Sequence, residues 1–197
     1  MAGERTWICW GAVLLSGCAG VPSTPQPFTP DKGCVVSSLI DERHLVLRSF
    51  GSATVRQYFV RAGGPVDAQW LQLTPRWGPG FGGPHAALDV PGGVGVVHVR
   101  YVEPGLYRMG PYEITEQRRG IAPWVTPIGF GVPFEVRTGR CTYLGRSTLM
   151  ARGYQFRWSD ERAFDFEQVR PLLPPALAAL PMHAIEAFEF PEMAPLD

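Results

Sequence analysis

Apolar and polar residues alternate with a period of two over much of this chain, the pattern of half-buried strands. In HLVLRSF, residues 44–50, Leu45 and Leu47 alternate with His44, Val46 and Arg48. TVRQYFVRA predicts a second strand and AQWLQL a third. The clearest central strand is GVVHVRYVE, residues 95–103, with Val97, Val99 and Tyr101 on one face and His98 and Arg100 on the other. Pro104-Gly105 marks a turn, and LYRMGPYEI opens another strand pair. VPFEVRTGRCTYLG reads as a hairpin. Phe134 and Val136 point opposite to Glu135 and Arg137, and Gly139 supplies the positive φ of a three-residue connection at Thr138-Gly139-Arg140. Tyr154, Phe156 and Trp158 alternate with Gln155 and Arg157 in a last strand.

The period changes only near the C-terminus. Phe166, Val169 and Leu173 lie at helical spacing, and Asp165 followed three residues later by Gln168 has the form of a capping box. Pro171 interrupts this helix, and Pro175 fits the first turn of a second short one over residues 176–180. Short strands at regular spacing, then short helices, predict a mainly β fold: an antiparallel β-sandwich with short C-terminal helices.

Composition narrows the class. The 23 glycines and 20 prolines suit abundant turns. Eighteen basic residues balance eighteen acidic ones, which argues against nucleic-acid binding, where an excess of Lys and Arg displaces counterions. The N-terminal apolar run, residues 7–15, is too short for a bilayer-spanning helix of about 20 residues. Arg5 and the terminal amine before it give the layout of a secretory signal.

That run ends in Leu15-Ser16-Gly17-Cys18, which resembles the lipobox of bacterial lipoproteins. The resemblance implies diacylglyceryl transfer to Cys18, cleavage before it and acylation of the new amino terminus. It also implies attachment of the protein to the membrane, since several acyl chains anchor a protein stably where one holds it marginally. By resemblance to enterobacterial lipoproteins, Ala19 after the cysteine implies sorting to the outer membrane, with the protein facing the periplasm. The expected organisation is a removed signal (1–17), a lipidated cysteine with a Pro-rich tether (18–33), a β-sandwich domain with short helices (34–190) and a tail (191–197). Pro22, Pro25, Pro27 and Pro30 make the tether an extended spacer that would hold the domain about 40 Å or less from the lipid.

With Cys9 in the signal and Cys18 lipidated, Cys34 and Cys141 remain as an even pair in an oxidising compartment, and a disulfide between them is expected. A second resemblance joins PGLYRMGPYEI to VPFEVRTGRCTYLG. Together they look like lipoprotein domains of transthyretin-like or carboxypeptidase-regulatory-like fold, with a Pro-Gly-x-Tyr strand and a Phe-x-Val…Gly…Tyr-Leu-Gly hairpin. Those domains have no assigned function, so the likeness implies an immunoglobulin- or transthyretin-like sandwich and no catalytic residue.

Other motifs carry little chemistry. GPGFGG, residues 78–83, matches G-x-G-x-x-G in letters, but Pro84 and Pro91-Gly92-Gly93 leave no room for the helix that a dinucleotide site requires. Residues 75–95 read instead as a long surface loop. His44, His85, His98 and His183 lie apart, without metal-ligand spacing. His98 is expected to face solvent or pack on the sheet, and His85 and Asp89 share the loop as a polar turn. The apolar, Gly/Pro-rich stretch 120–134 reads as a loop over one end of the sandwich. Alternatively, Trp124, Ile128 and Phe130 form a patch for a partner or the membrane surface.

The leading expectation is a lipid-anchored, periplasm-facing binding or scaffolding module, not an enzyme, without cofactor or metal. Its partners would be the membrane, through the anchor, and an envelope protein. Two alternatives are an envelope hydrolase with an edge site around His85 and Asp89, and a small-ligand carrier.

Overall fold

In the computed structural model, the described residues are 27–42, 51–62, 69–73, 85–91, 93–118, 124–128, 131–150 and 155–185. Among the described residues, eleven strands form two sheets. They are β1 (Gly33–Asp41), β2 (Gly51–Arg61), β3 (Gln69–Leu73), β4 (His85–Val90), β5 (Gly93–Val102), β6 (Gly105–Arg118), β7 (Trp124–Ile128), β8 (Val132–Val136), β9 (Cys141–Leu149), β10 (Phe156–Ser159) and β11 (His183–Ala184). The first sheet has the order β10-β9-β1-β5-β4, with β11 also on β9. The second runs β3-β2-β6-β7, with β8 also on β6. Helix α1 (Arg162–Val169), a 3-10 turn (Arg170–Leu172) and helix α2 (Pro175–Ala178) lie between β10 and β11.

The mainly β expectation is met, but one of the two sheets is mixed. β1 pairs antiparallel with β5 and parallel with β9, from Cys34 opposite Cys141 to Asp41 opposite Leu149. β1 lies in the middle of the first sheet and is buried along its whole length. Its alternate side chains serve two cores. Val35 and Leu39 join Val55, Phe59, Tyr107, Met109, Tyr112 and Ile114 between the sheets. Cys34, Val36 and Ile40 join Phe166, Val169, Leu173 and Leu177 on the opposite face, beneath the helices. The first sheet is therefore covered on both sides. That is why β1 reads VVSSLI, a run without the one-sided alternation of a solvent-facing strand.

Several sequence expectations require correction. β8 and β9 do not form a hairpin. Phe134 and Val136 do face the core, and Gly139 does have a positive φ of 65°. The turn, however, carries the chain across to the other sheet, where β9 pairs with β1 while β8 pairs with β6. The crossing is held by Cys34 N–H donating to Arg140 O (2.9 Å) and Gly139 N–H donating to Lys32 O (2.9 Å). Pairing with buried β1 gives Tyr143 and Leu144 two cores to enter, which an isolated hairpin cannot supply.

Gly110-Pro111 forms a bulge inside the fourteen-residue β6, where the register with β2 shifts between Gln57 and Phe59. Proline fits a bulge because no ladder donor is needed there. The loop expected over 75–95 contains β4 and the start of β5, paired antiparallel from His85 opposite His98. Residues 124–128 likewise form a strand on β6. Helix α1 begins at Arg162, three residues before Asp165, so Asp165 does not cap it. The short helix at Pro175 and the break at Pro171 are as expected. The strand expected at 44–50 and the glycine-rich stretch 78–83 lie outside the described residues.

The fold begins before Cys34. The Phe28 ring packs against Tyr101 with centroids 5.3 Å apart, and Lys32 Nζ reaches Pro27 O at 3.4 Å.

Candidate functional site

Among the described residues, three places concentrate polar or reactive groups. The first lies where α1 meets the first sheet. The Asp165 carboxylate is completely buried and accepts hydrogen bonds from the Ser38 hydroxyl, the Tyr143 hydroxyl and the Arg146 guanidinium. These donors come from β1 and β9, so the carboxylate clasps the helix to the sheet. The Arg146 guanidinium also lies over the Phe164 ring, 5.2 Å from its centroid, while its Nε makes no hydrogen bond. Burial, then the Asp165 charge, pushes the Tyr143 hydroxyl far above its ordinary pKa. A carboxylate with three donors turned inward is spent on structure, because it has no open side for a substrate.

The second place is between the sheets. Ser37 donates to Gln57 Oε1 (2.8 Å), and Tyr112 bonds to Ser147. Gln57 Nε2 lies beside the Tyr112 hydroxyl without a hydrogen bond of good geometry. Burial pushes the Tyr112 pKa strongly upward. Farther along the same interlayer, His98 and Arg100 share the face of β5 that carries Val96 and Val102 and are buried, at 7% and 5% exposure. His98 is thus packed on the sheet rather than facing solvent. His85 is exposed and opposite it, with ring centroids 6.0 Å apart. Asp89 is four residues along β4, so its Cα is about 13 Å from that of His85. Burial lowers the Arg100 pKa.

The third is a groove of about 470 Å³ between α1 and the segment leading into β11. Phe166, Leu180 and Met182 contribute apolar surface, and Arg162, Glu167 and Arg170 contribute charge. Leu180 is 40% exposed. Arg170 sits over the Phe166 ring, 4.8 Å from its centroid, and pairs with Glu167 at 2.7 Å. Arg162 pairs with Asp160 at 2.9 Å. Sequence reasoning did not find this groove. The available signal was Pro171, Pro174, Pro175 and Pro181, which cut a helical segment into pieces too short to pack flat.

Of the predicted site residues, Cys34 and Cys141 are joined in a disulfide, with Cα atoms 4.4 Å apart. Trp124 and Ile128 bound β7, opposite Glu116 and Tyr112 respectively. Cys18 and Phe130 lie outside the described residues. Among the described residues no three His, Cys, Asp or Glu side chains gather as metal ligands, and no helix is long and apolar enough to cross a membrane.

Comparison with known proteins assigns no family. No family model matches the chain, and no curated protein matches it. A leucine-rich repeat protein from Bacteroides thetaiotaomicron VPI-5482 aligns over 68% of this chain and 15% of its own length, at 13% identity and a TM-score of 0.34. The chain therefore spans under one sixth of that protein's length, and a likeness this distant carries no argument.

Proposed function

We propose that this chain is a bacterial envelope lipoprotein. In this reading Cys18 carries the acyl chains and the two-sheet body faces the periplasm from the outer membrane, acting as a non-catalytic binding or scaffolding module. The observation that carries the reading is the Cys34–Cys141 disulfide. Such a bond forms and persists in oxidising compartments, and it stands in the same chain as Leu15-Ser16-Gly17-Cys18. Two sheets sharing one core support an immunoglobulin- or transthyretin-like sandwich, from which the parallel β1–β9 pair is a departure. The binding role rests on the groove beside α1, which offers apolar floor and cationic rim in one place.

The test is fractionation with metabolic palmitate labelling in a bacterial host. The natural chain should pellet with membranes and take up label, while Cys18→Ser should do neither. Retention of the variant in the membrane fraction would defeat the anchor assignment. Crosslinking in intact cells then identifies the envelope protein that the module contacts.

A further inference from the structure

His85 and His98 are thirteen residues apart in the sequence, yet the register of β4 on β5 sets them directly opposite each other. The two side chains therefore leave the same face of the first sheet, with Cβ atoms about 4.5–5.5 Å apart. On that face, His98 and Val96 of β5 are buried, whereas His85 and Ala87 of β4 are exposed. The pair thus straddles the margin of the interlayer core, with one imidazole set in the wall and the other open to solvent. On its inner side His98 is opposite Ser37 of β1, whose hydroxyl is bonded to Gln57 Oε1 and Gly145 O.

The two ring centroids are 6.0 Å apart, and the ring planes are inclined at 37°. A cation about 2.0–2.1 Å from an imidazole nitrogen lies about 3.2 Å from the centroid of that ring. Two rings sharing one cation then have centroids about 4.5 Å apart at a right-angled ligand arrangement and about 6.4 Å apart at a linear one. The observed separation falls inside that range, so rotation of the exposed His85 side chain can complete the approach without moving the backbone. Each imidazole has two nitrogens, and one can ligate while the other keeps a hydrogen bond to the protein.

The ligand atoms select the ion. Imidazole nitrogen suits zinc, copper and nickel, whereas calcium and magnesium require oxygen. Among the described residues no third His, Cys, Asp or Glu gathers with the pair, and water completes the coordination. Arg100 stands two residues beyond His98 on the same face of β5, so a hard cation held by charge alone is repelled. We propose that His85 and His98 form a two-imidazole site for a divalent transition cation of the zinc or copper type. The ion pins the edge strand β4 to β5. The site depends neither on the lipid anchor nor on the groove beside α1.

The experiment uses the full chain without an affinity tag, freed of metal by a chelator. Zn2+ is added in a calorimetric titration, and the imidazole nitrogen resonances are followed by NMR. One Zn2+ per chain is expected, with the resonances of both His85 and His98 displaced. His85→Ala should weaken binding at least about tenfold, equivalent to about 1.4 kcal/mol. His44→Ala and His183→Ala should leave the affinity unchanged, and excess Mg2+ should not compete. His85 is exposed, so its replacement spares the fold, and retention of the disulfide verifies this. Five results would each overturn the proposal: no heat of binding, a smaller loss in His85→Ala, a loss in either control variant, displacement of one imidazole alone, or competition by Mg2+. A Zn2+-bridged pair of chains in sedimentation would do the same.

Discussion

Asp165 shows what one buried charge does in this molecule. It is fully enclosed, and its two oxygens receive one cation and two hydroxyls from different strands. Breaking a buried pair by removing one partner leaves the other charge uncompensated, at a cost of about 3–5 kcal/mol. Asp165→Ala should therefore lower stability by about that amount in denaturant titration. Arg146→Met in the same background should cost much less than it does alone. The buried tyrosines give a second expectation. Tyr112 and Tyr143 have pKa values raised by burial, so above the unfolded value of about 10 the native state holds protons that the unfolded chain releases. Stability should be insensitive to these groups below about pH 10. Above it, stability should fall by about 1.4 kcal/mol per pH unit for each tyrosine. Tyr112→Phe should remove one proton's share of that slope. None of this was legible in the sequence. Asp165 lies 127 residues from Ser38, and the nearby Gln168 made it resemble a cap. Local spacing records helix ends, whereas the identity of a tertiary partner is set only by folding.

Strand existence was more legible than strand pairing. The alternation in β2, β5 and β8 was read directly, because one face of each strand must be apolar wherever it goes. Which neighbour a strand takes depends on the turn, and Thr138-Gly139-Arg140 permits either a hairpin or a step to the other sheet. Bulges were equally hidden. In β9 the register with β1 shifts between Val36 and Ser38, so Leu144 and Gly145 together oppose Ser37. The extra residue keeps Leu144, Ser147 and Leu149 facing the second sheet while Tyr143 and Arg146 face the helix. Gly145 has φ of 92°, and a methyl group there would overlap the Trp158 indole, whose Nε1 donates to Leu144 O at 2.8 Å. Gly145→Ala should cost about 2–4 kcal/mol through backbone strain and overpacking. A Trp158→Ala background should relieve the overpacking part but not the strain. Equal costs in both backgrounds, measured by thermal unfolding, would contradict this account of the bulge.

At the scale of the whole molecule, three layers stack in the order second sheet, first sheet, helices, and β1 touches both flanking layers. The sandwich and the short C-terminal helices were legible in the sequence, but not that the helices cover the outer face of the first sheet, nor the groove they form there. The disulfide joins β1 to β9 across 107 residues of sequence. The chain-entropy model gives about 4–5 kcal/mol as its upper contribution. Cys34→Ala, Cys141→Ala and the double variant should all lose a similar amount, since each removes the same bridge. A thiol assay of the native, folded protein that found both sulfhydryls free would contradict the bond.

The bridge also determines how the molecule carries mechanical load. A pull applied between residues before β1 and residues after β11 enters at Cys34 and passes through the sulfur atoms to Cys141. Everything between those two cysteines, which includes the entire second sheet, is bypassed by the tension. Only the short lead before β1 and the last portion of the chain from β9 onward can be drawn out. A body held in this way to a moving surface would stretch at its margins while its centre stayed intact.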